Sequence, residues 1–202
     1  MTLFKMQYYE RKIKKSGYRL IAGVDEAGRG PLAGPVVAGA VILGKAIKGI
    51  DDSKRLSPDQ RYRLFLKIVS TSIVGIGIIG EKVIDKINIL NASLKAMERA
   101  VFSLRLAPDY LLIDGLSAPL IPYPMTKLVK GDQKSSSIAA ASIVAKVVRD
   151  KIMAVFDRLY PQYGFCNHKG YPTRRHIISL TKYGPSPLHR CTFKPVRELN
   201  YG

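Results

Sequence analysis

Apolar positions along this chain come first as short runs and later as helical stripes. Residues 18–25, 35–43 and 72–80 are such runs, bounded by glycine or proline. Their length and β-branched content predict buried strands. Glycines at 75, 77 and 80 weaken the third run, yet its length and isoleucines still favour strand. Residues 1–17, charged and carrying two tyrosines, predict a short basic helix. Ser57-Pro58-Asp59 predicts another helix start, because Ser57 can cap it and proline fits the first turn.

After residue 80 the period changes. Leu90, Leu94, Met97, Val101 and Leu104 step by three and four, the spacing of one helical face. Strands are predicted at 109–114 and 125–130. Ile138, Ala141, Ala145, Val148, Ile152, Val155 and Leu159 then repeat the helical rhythm, and Pro161 stops it. Residues 172–182 predict a last short helix before an irregular end. Three successive strands suggest an antiparallel meander, and strands separated by helices suggest parallel additions. The fold class is therefore α/β: a mixed β-sheet flanked by helices, with a small helical C-terminal part. A length of 202 residues without a linker or repeat predicts one domain, residues 1–202, in which about 160–202 form a substrate-binding part.

Composition narrows the partners. Lys plus Arg number 33 against 15 Asp plus Glu, a net charge of +18. Such an excess suits a polyanion, most often nucleic acid, although a basic ribosome-associated protein would share it. From residue 127 onward there are 14 Lys/Arg and 4 Asp/Glu, or 14 − 4 = +10. Cys166 and Cys191 have neither CxxC nor zinc-type spacing, so free thiols in a reducing compartment are expected. No apolar run is long enough to span a bilayer, and the first residues lack the apolar core of a signal peptide. A cytoplasmic protein without a membrane partner is expected, acting as a monomer.

Against this basic background four acids stand out. Asp25 and Glu26 lie in GVDEAGRG (23–30), Asp114 closes YLLIDG (110–115), and Asp132 sits in KGDQKS (130–135). Carboxylates placed near strand ends with glycine beside them suit oxygen-loving divalent cations working on a phosphate backbone. Taken singly, each motif has a plainer reading: Asp25-Glu26 as an exposed acidic turn, Asp114-Gly115 as an ordinary one. Adjacent strand residues also point to opposite faces, so Asp25 and Glu26 share a site only if the strand bends, bulges or ends there. Gly28, Arg29 and Gly30 follow directly. Glycines admit close backbone approach to a sugar-phosphate and arginine holds phosphate; a tight turn is the alternative.

Lys54 is a candidate phosphate ligand or a solvated surface charge. In YGFCNHKGYPT (163–173) aromatics alternate with His168 and Lys169, a pattern that meets both bases and phosphates. The three histidines lack metal-ligand spacing, and for each a structural role competes with a catalytic one. Ser135, Ser136 and Ser137 read as helix caps.

With those residues named, the chain closely resembles the ribonuclease HII family. The resemblance rests on GVDEAGRGPLAGPVVAGAVIL (23–43), DDSKRLS (51–57), LNAS (90–93), LLIDG (111–115), KGDQKSSSIAAASIVAKVVRD (130–150) and YGFCNHKGYPTRRH (163–176). It implies an RNase H-like fold and a metal-dependent endoribonuclease acting on RNA–DNA hybrids. It further implies incision 5′ of single ribonucleotides in duplex DNA, leaving 3′-hydroxyl and 5′-phosphate ends. By the family motif, Asp25, Glu26, Asp114 and Asp132 would be catalytic and would bind Mg2+ or Mn2+, two ions with substrate bound. Gly28, Arg29 and Gly30 would meet the 2′-hydroxyl and adjoining phosphate, and Tyr171 would pack on the following sugar. Gln133 departs from the family, which often has serine there. The related type HIII enzymes carry an added N-terminal domain, for which the 22 residues before the first motif leave no room. The alternative is a catalytically silent binder of RNA–DNA hybrids. The four acids argue against it, since a pure binder has no need of negative charge beside phosphate.

Overall fold

A computed structural model of the chain describes residues 6–50 and 56–199. Five strands form one sheet in the order β3-β2-β1-β4-β5: β1 Ile21–Ala27, β2 Val36–Ile42, β3 Ile73–Ile79, β4 Tyr110–Asp114 and β5 Met125–Leu128. The first three pair antiparallel as a meander, and β4 and β5 add in parallel. The helices are α1 Tyr8–Lys15, α2 Pro58–Thr71, α3 Glu81–Phe102, α4 Ser136–Leu159, α5 Phe165–His168, α6 Arg174–Tyr183 and α7 Lys194–Leu199. Sequence periodicity predicts the sheet and the long helices. It misses α5 and α7, which are too short to establish a period.

The helices cover both faces of the sheet. On one face α3 packs against β1, β2 and β3. Its buried stripe is Ala92, Ala96, Met97, Ala100 and Val101, while Leu90, expected on that face, stands 41% exposed. Asn88 leaves helical geometry at φ 64 and ψ 167, which breaks the period there, while Ile84 before it still joins the same core. The glycines of β3 are explained by the small residues of α3. A Cβ on Gly77 would lie 2.0 Å from the Ala96 carbonyl oxygen, and one on Gly75 would lie 2.1 Å from that of Ala100. The strand gives up propensity so that the helix can approach.

On the other face α4 lies against β1 and β2, with α2 beside it. α2 begins in a capping box: Ser57 Oγ accepts from the Gln60 amide, and the Ser57 amide donates to the Gln60 side chain. The first half of α4 is buried all round, from Ser136 to Ala145. In its second half the expected apolar stripe turns outward, leaving Val155 and Leu159 exposed. There α4 offers Met153 and Phe156 to the C-terminal part, whose Tyr163 and Phe165 pack with Ala33. Leu180 and Val196 close over Leu32 in a neighbouring cluster. Residues 31–35, between β1 and β2, are thus held by the C-terminal elements. No helix among the described residues is long and apolar enough to cross a membrane.

Candidate active site

The end of the sheet makes the site. β1 stays in regular register with β2 through Asp25, Glu26 and Ala27, with no bulge. Its parallel pairing with β4 stops at Val24. Past that point β1 has no neighbour on the β4 side. Asp25 shares its face with Gly23, which abuts the start of α4, and Glu26 lies on the opposite face, yet both line the gap that opens beyond the end of β4. Asp114 ends β4, and Asp132 sits in a short 3-10 turn, residues Gly131–Gln133, after β5. The expected strand 125–130 stops at Leu128, because Lys130 turns left-handed at φ 56 and swings the chain into that turn. All four acids line one cleft of about 290 Å³. Among the described residues no three His, Cys, Asp or Glu side chains stand together in ligating geometry. The acids surround the cleft and are not collapsed on one point.

Burial and mutual repulsion set the electrostatics. Asp25 is held well above the usual carboxylate range, first by burial, then by Glu26 and Asp114; a hydrogen bond from Ser142 works the other way. Its Oδ1 also accepts the Glu26 amide at 2.7 Å. Glu26 is raised by burial and by Asp114 against the pull of Arg29, whose guanidinium reaches Glu26 at 3.3 Å. Asp114 Oδ1 accepts the Gly131 amide at 2.6 Å, tying the end of β4 to the turn that carries Asp132. The donor set is oxygen only, which fits Mg2+ or Mn2+ and not a zinc site.

The 28–30 loop forms one wall of the cleft. Gly28 has φ +100, and a Cβ there would fall 2.2 Å from Arg149 Nε, so the position excludes a side chain. A Cβ on Gly30 would sit 3.5 Å from the Tyr171 ring, which forms the adjoining wall. Tyr171 is 44% exposed. Of the other candidates, His168 is buried and does not line the cleft: its Nε2 donates to the Tyr163 carbonyl and its Nδ1 accepts the Gly170 amide. Lys169 likewise stays off the cleft, its ammonium donating to the Cys166 carbonyl at 2.8 Å. Lys54 lies outside the described residues.

Several residues of the site have no sequence motif of their own. Ser142, Lys146 and Arg149 line the cleft from α4 at helical spacing, a polar stripe inside a buried helix that the pattern itself could have flagged. Lys146 pairs with Asp150 at 2.7 Å. Arg149 and Arg190 are fully buried. Arg149 donates to the carbonyls of Ala33, Pro35 and Lys169. Arg190 donates to those of Gly28, Arg29 and Gly34. Burial lowers Arg190 to about 9, with Arg149 adding to the effect. Arg190 thus holds the carbonyls of Gly28 and Arg29 from behind, and Arg149 ties residues 33–35 to the turn at Lys169.

Comparison with known proteins agrees with this geometry. The family model described as ribonuclease HII matches residues 22–196. Ribonuclease HII of Geobacter sulfurreducens is 54% identical over 193 residues, spanning 94% of this chain and 89% of that protein. Ribonuclease HII of Acetivibrio thermocellus is 55% identical over 192 residues, spanning 94% of this chain and 75% of that protein. In three dimensions the chain is similar to ribonuclease H2 from Pyrococcus horikoshii OT3, with TM-score 0.76 and 28% identity, over 91% of this chain and 98% of that one.

Proposed function

The chain belongs to the ribonuclease HII family, and from that premise we propose that it cleaves the RNA strand of RNA–DNA hybrids and incises duplex DNA 5′ of a single embedded ribonucleotide. The products are 3′-hydroxyl and 5′-phosphate ends. As a member of that family the protein is a ribonuclease H, a phosphodiester hydrolase. The observation that carries the finer reading is the meeting of four carboxylates, the 28–30 loop and Tyr171 around one cleft.

Asp25, Glu26, Asp114 and Asp132 are the residues that would hold Mg2+ or Mn2+. The raised carboxyls of Asp25 and Glu26 support this, since like charges gathered under burial are relieved by a divalent cation. Two such ions, when bound, supply an activated water and neutralise charge on the attacking and leaving oxygens. The protein contributes position: Asp25 fixed by the Glu26 amide, Asp114 by the Gly131 amide, and Asp132 brought in by the turn they share. Selectivity for ribose falls to the loop. Arg190 and Arg149 engage its carbonyls and its flank from behind, leaving the cleft side free to meet a 2′-hydroxyl, the group that separates RNA from DNA. Arg29 reaches the adjoining phosphate, and the Tyr171 ring tests the next sugar. The part from about residue 160 onward contributes Tyr171 and has seven Lys/Arg against one Asp/Glu, which suits a substrate-binding role within one domain.

The test is a labelled DNA duplex with one ribonucleotide, incubated with the protein and Mg2+ or Mn2+. A single cut 5′ of the ribonucleotide supports the proposal. Tight binding of the duplex with no cut under either ion would favour the silent binder.

A further inference from the structure

Three histidines surround the backbone that presents Tyr171, and their hydrogen bonds run in one direction. His176 Nδ1 is 2.9 Å from the Tyr171 carbonyl oxygen. A carbonyl only accepts, so Nδ1 carries the proton and Nε2 of a neutral ring is an acceptor. His189 Nε2 lies 3.1 Å from that acceptor and must donate to it. His189 Nδ1 then accepts the Ser186 amide at 2.9 Å. The chain of bonds is thus Ser186 amide to His189, His189 to His176, and His176 to the carbonyl of Tyr171. Each ring has one tautomer that satisfies both neighbours.

The surroundings keep these rings neutral. His176 and His189 are buried among Phe165, Tyr163 and the His168 ring, which stacks on His176 at 4.3 Å. Burial lowers both to about 4; His168 adds to the effect on His176, and His176 and His168 add to it on His189. The other peptide bonds around Tyr171 are taken as well. Its amide donates to the His168 carbonyl, and the Gly170 carbonyl accepts from Leu32. A backbone fixed at every polar group carries a side chain that is nearly half exposed toward the cleft.

We propose that His176, held in its Nδ1–H tautomer by His189, is a positioning residue that fixes Tyr171 for ribose-dependent cleavage. The inference rests on the role given to Tyr171 above. The histidines do not line the cleft; they act through the Tyr171 backbone. A merely structural pair would cost stability and rate together, whereas a positioning pair acts on rate only while the Tyr171 ring is present.

The experiment uses two near-isosteric variants. Asn at 176 keeps a donor where Nδ1 stood, and so keeps the Tyr171 carbonyl while losing His189. Gln keeps an acceptor near Nε2 for His189 and lets go of the carbonyl. Each loses one of two buried bonds, so His176→Asn and His176→Gln should melt at similar temperatures. On a duplex with one ribonucleotide, His176→Gln should cleave about tenfold slower than wild type, and His176→Asn should recover most of that rate. Affinity for an all-DNA duplex should be unchanged in both. In a Tyr171→Ala background His176→Gln should have no further effect on rate. Equal rate losses in the two variants, or the same tenfold loss on top of Tyr171→Ala, would overturn the inference and leave His176 as packing. A wild-type rate for Tyr171→Ala alone would instead overturn the role of Tyr171 itself. If His176→Gln does not fold, His189→Asn serves: it keeps the Ser186 amide and loses only the bond to His176. Its rate loss, about threefold, should likewise vanish without the Tyr171 ring, and persistence of the loss there would overturn the inference.

Discussion

Two neighbouring regions of this molecule bury polar groups for opposite ends. In the acid cleft, Asp25 and Glu26 are buried beside Asp114, and their burial and mutual repulsion raise them above the ordinary carboxylate range. Around and behind it, Arg149 (which also reaches the cleft wall), Arg190 and the histidines are buried, yet their partners are backbone carbonyls and amides and, between His176 and His189, each other. Burial that leaves like charges facing each other prepares a site for a cation. Burial that satisfies each donor prepares a scaffold. The difference separates residues that meet substrate from residues that hold them, and it predicts opposite responses to mutation.

The largest expected effect is on the cleft side. Asp132→Asn should slow cleavage at a single ribonucleotide by roughly a hundredfold or more, since several kcal/mol of charge stabilisation go with a metal-binding carboxylate. Its melting temperature should stay near wild type. A normal rate in a folded Asp132→Asn protein would remove the acids from the chemistry. On the scaffold side the order reverses. Arg190→Met should lower stability by on the order of 3 kcal/mol, because the carbonyls of Gly28, Arg29 and Gly34 are left buried and unpaired. Denaturant unfolding reads this directly, and an unchanged midpoint would show the carbonyls to be satisfied by other means.

Between these lies Tyr171, a ring in the cleft on a backbone in the scaffold. Tyr171→Ala should slow ribonucleotide cleavage by roughly tenfold while changing DNA affinity much less. Paired rate and dissociation measurements on one duplex check it, and equal loss in both would make Tyr171 an ordinary contact.

The two regions should also answer pH with opposite signs. His176 and His189 are lowered from 6.5 to about 4 in the folded protein. As pH falls below 6.5, unfolded rings take up protons and folded rings do not, so this contribution to stability is lost between pH 6.5 and 4. Each ring contributes on the order of 3 kcal/mol. Asp25 is raised, so the folded state takes its proton first, and its contribution grows as pH falls. Asp25→Asn removes that opposing effect. The variant should be more stable than wild type near neutrality, with a steeper loss toward pH 4, as thermal melts across that range would show. A variant no more stable than wild type at pH 7 would mean that Asp25 carries no burden in the fold. The smallest distinction concerns the basic surface from residue 127 onward. Affinity for a DNA duplex should fall linearly on a log–log salt plot as phosphate contacts release counterions. A flat plot would exclude that surface from binding.

Much of this could be read before any coordinates. Hydrophobic period is a local property, so the strands, α3, α4 and the Ser57 cap follow from spacing alone. Each acid taken singly reads as a turn, and the signal lies in the three segments together in a basic chain, whose GVDEAGRG and KGDQKS motifs resemble one family. What the sequence does not contain is the partner of each buried polar group. Arg149 bonds a carbonyl 114 residues away, and Arg190 bonds one 162 residues away. His168 sits in an aromatic-basic run that predicts contact with nucleic acid, and the folded chain turns its ring inward to hold the Gly170 amide. Asp25 and Glu26 share a cleft with no bend in their strand, because the neighbouring strand β4 ends first. Periodicity and motif are written along the chain. Hydrogen-bond satisfaction and the ending of a neighbouring strand depend on residues far apart in sequence, so only the tertiary structure decides them.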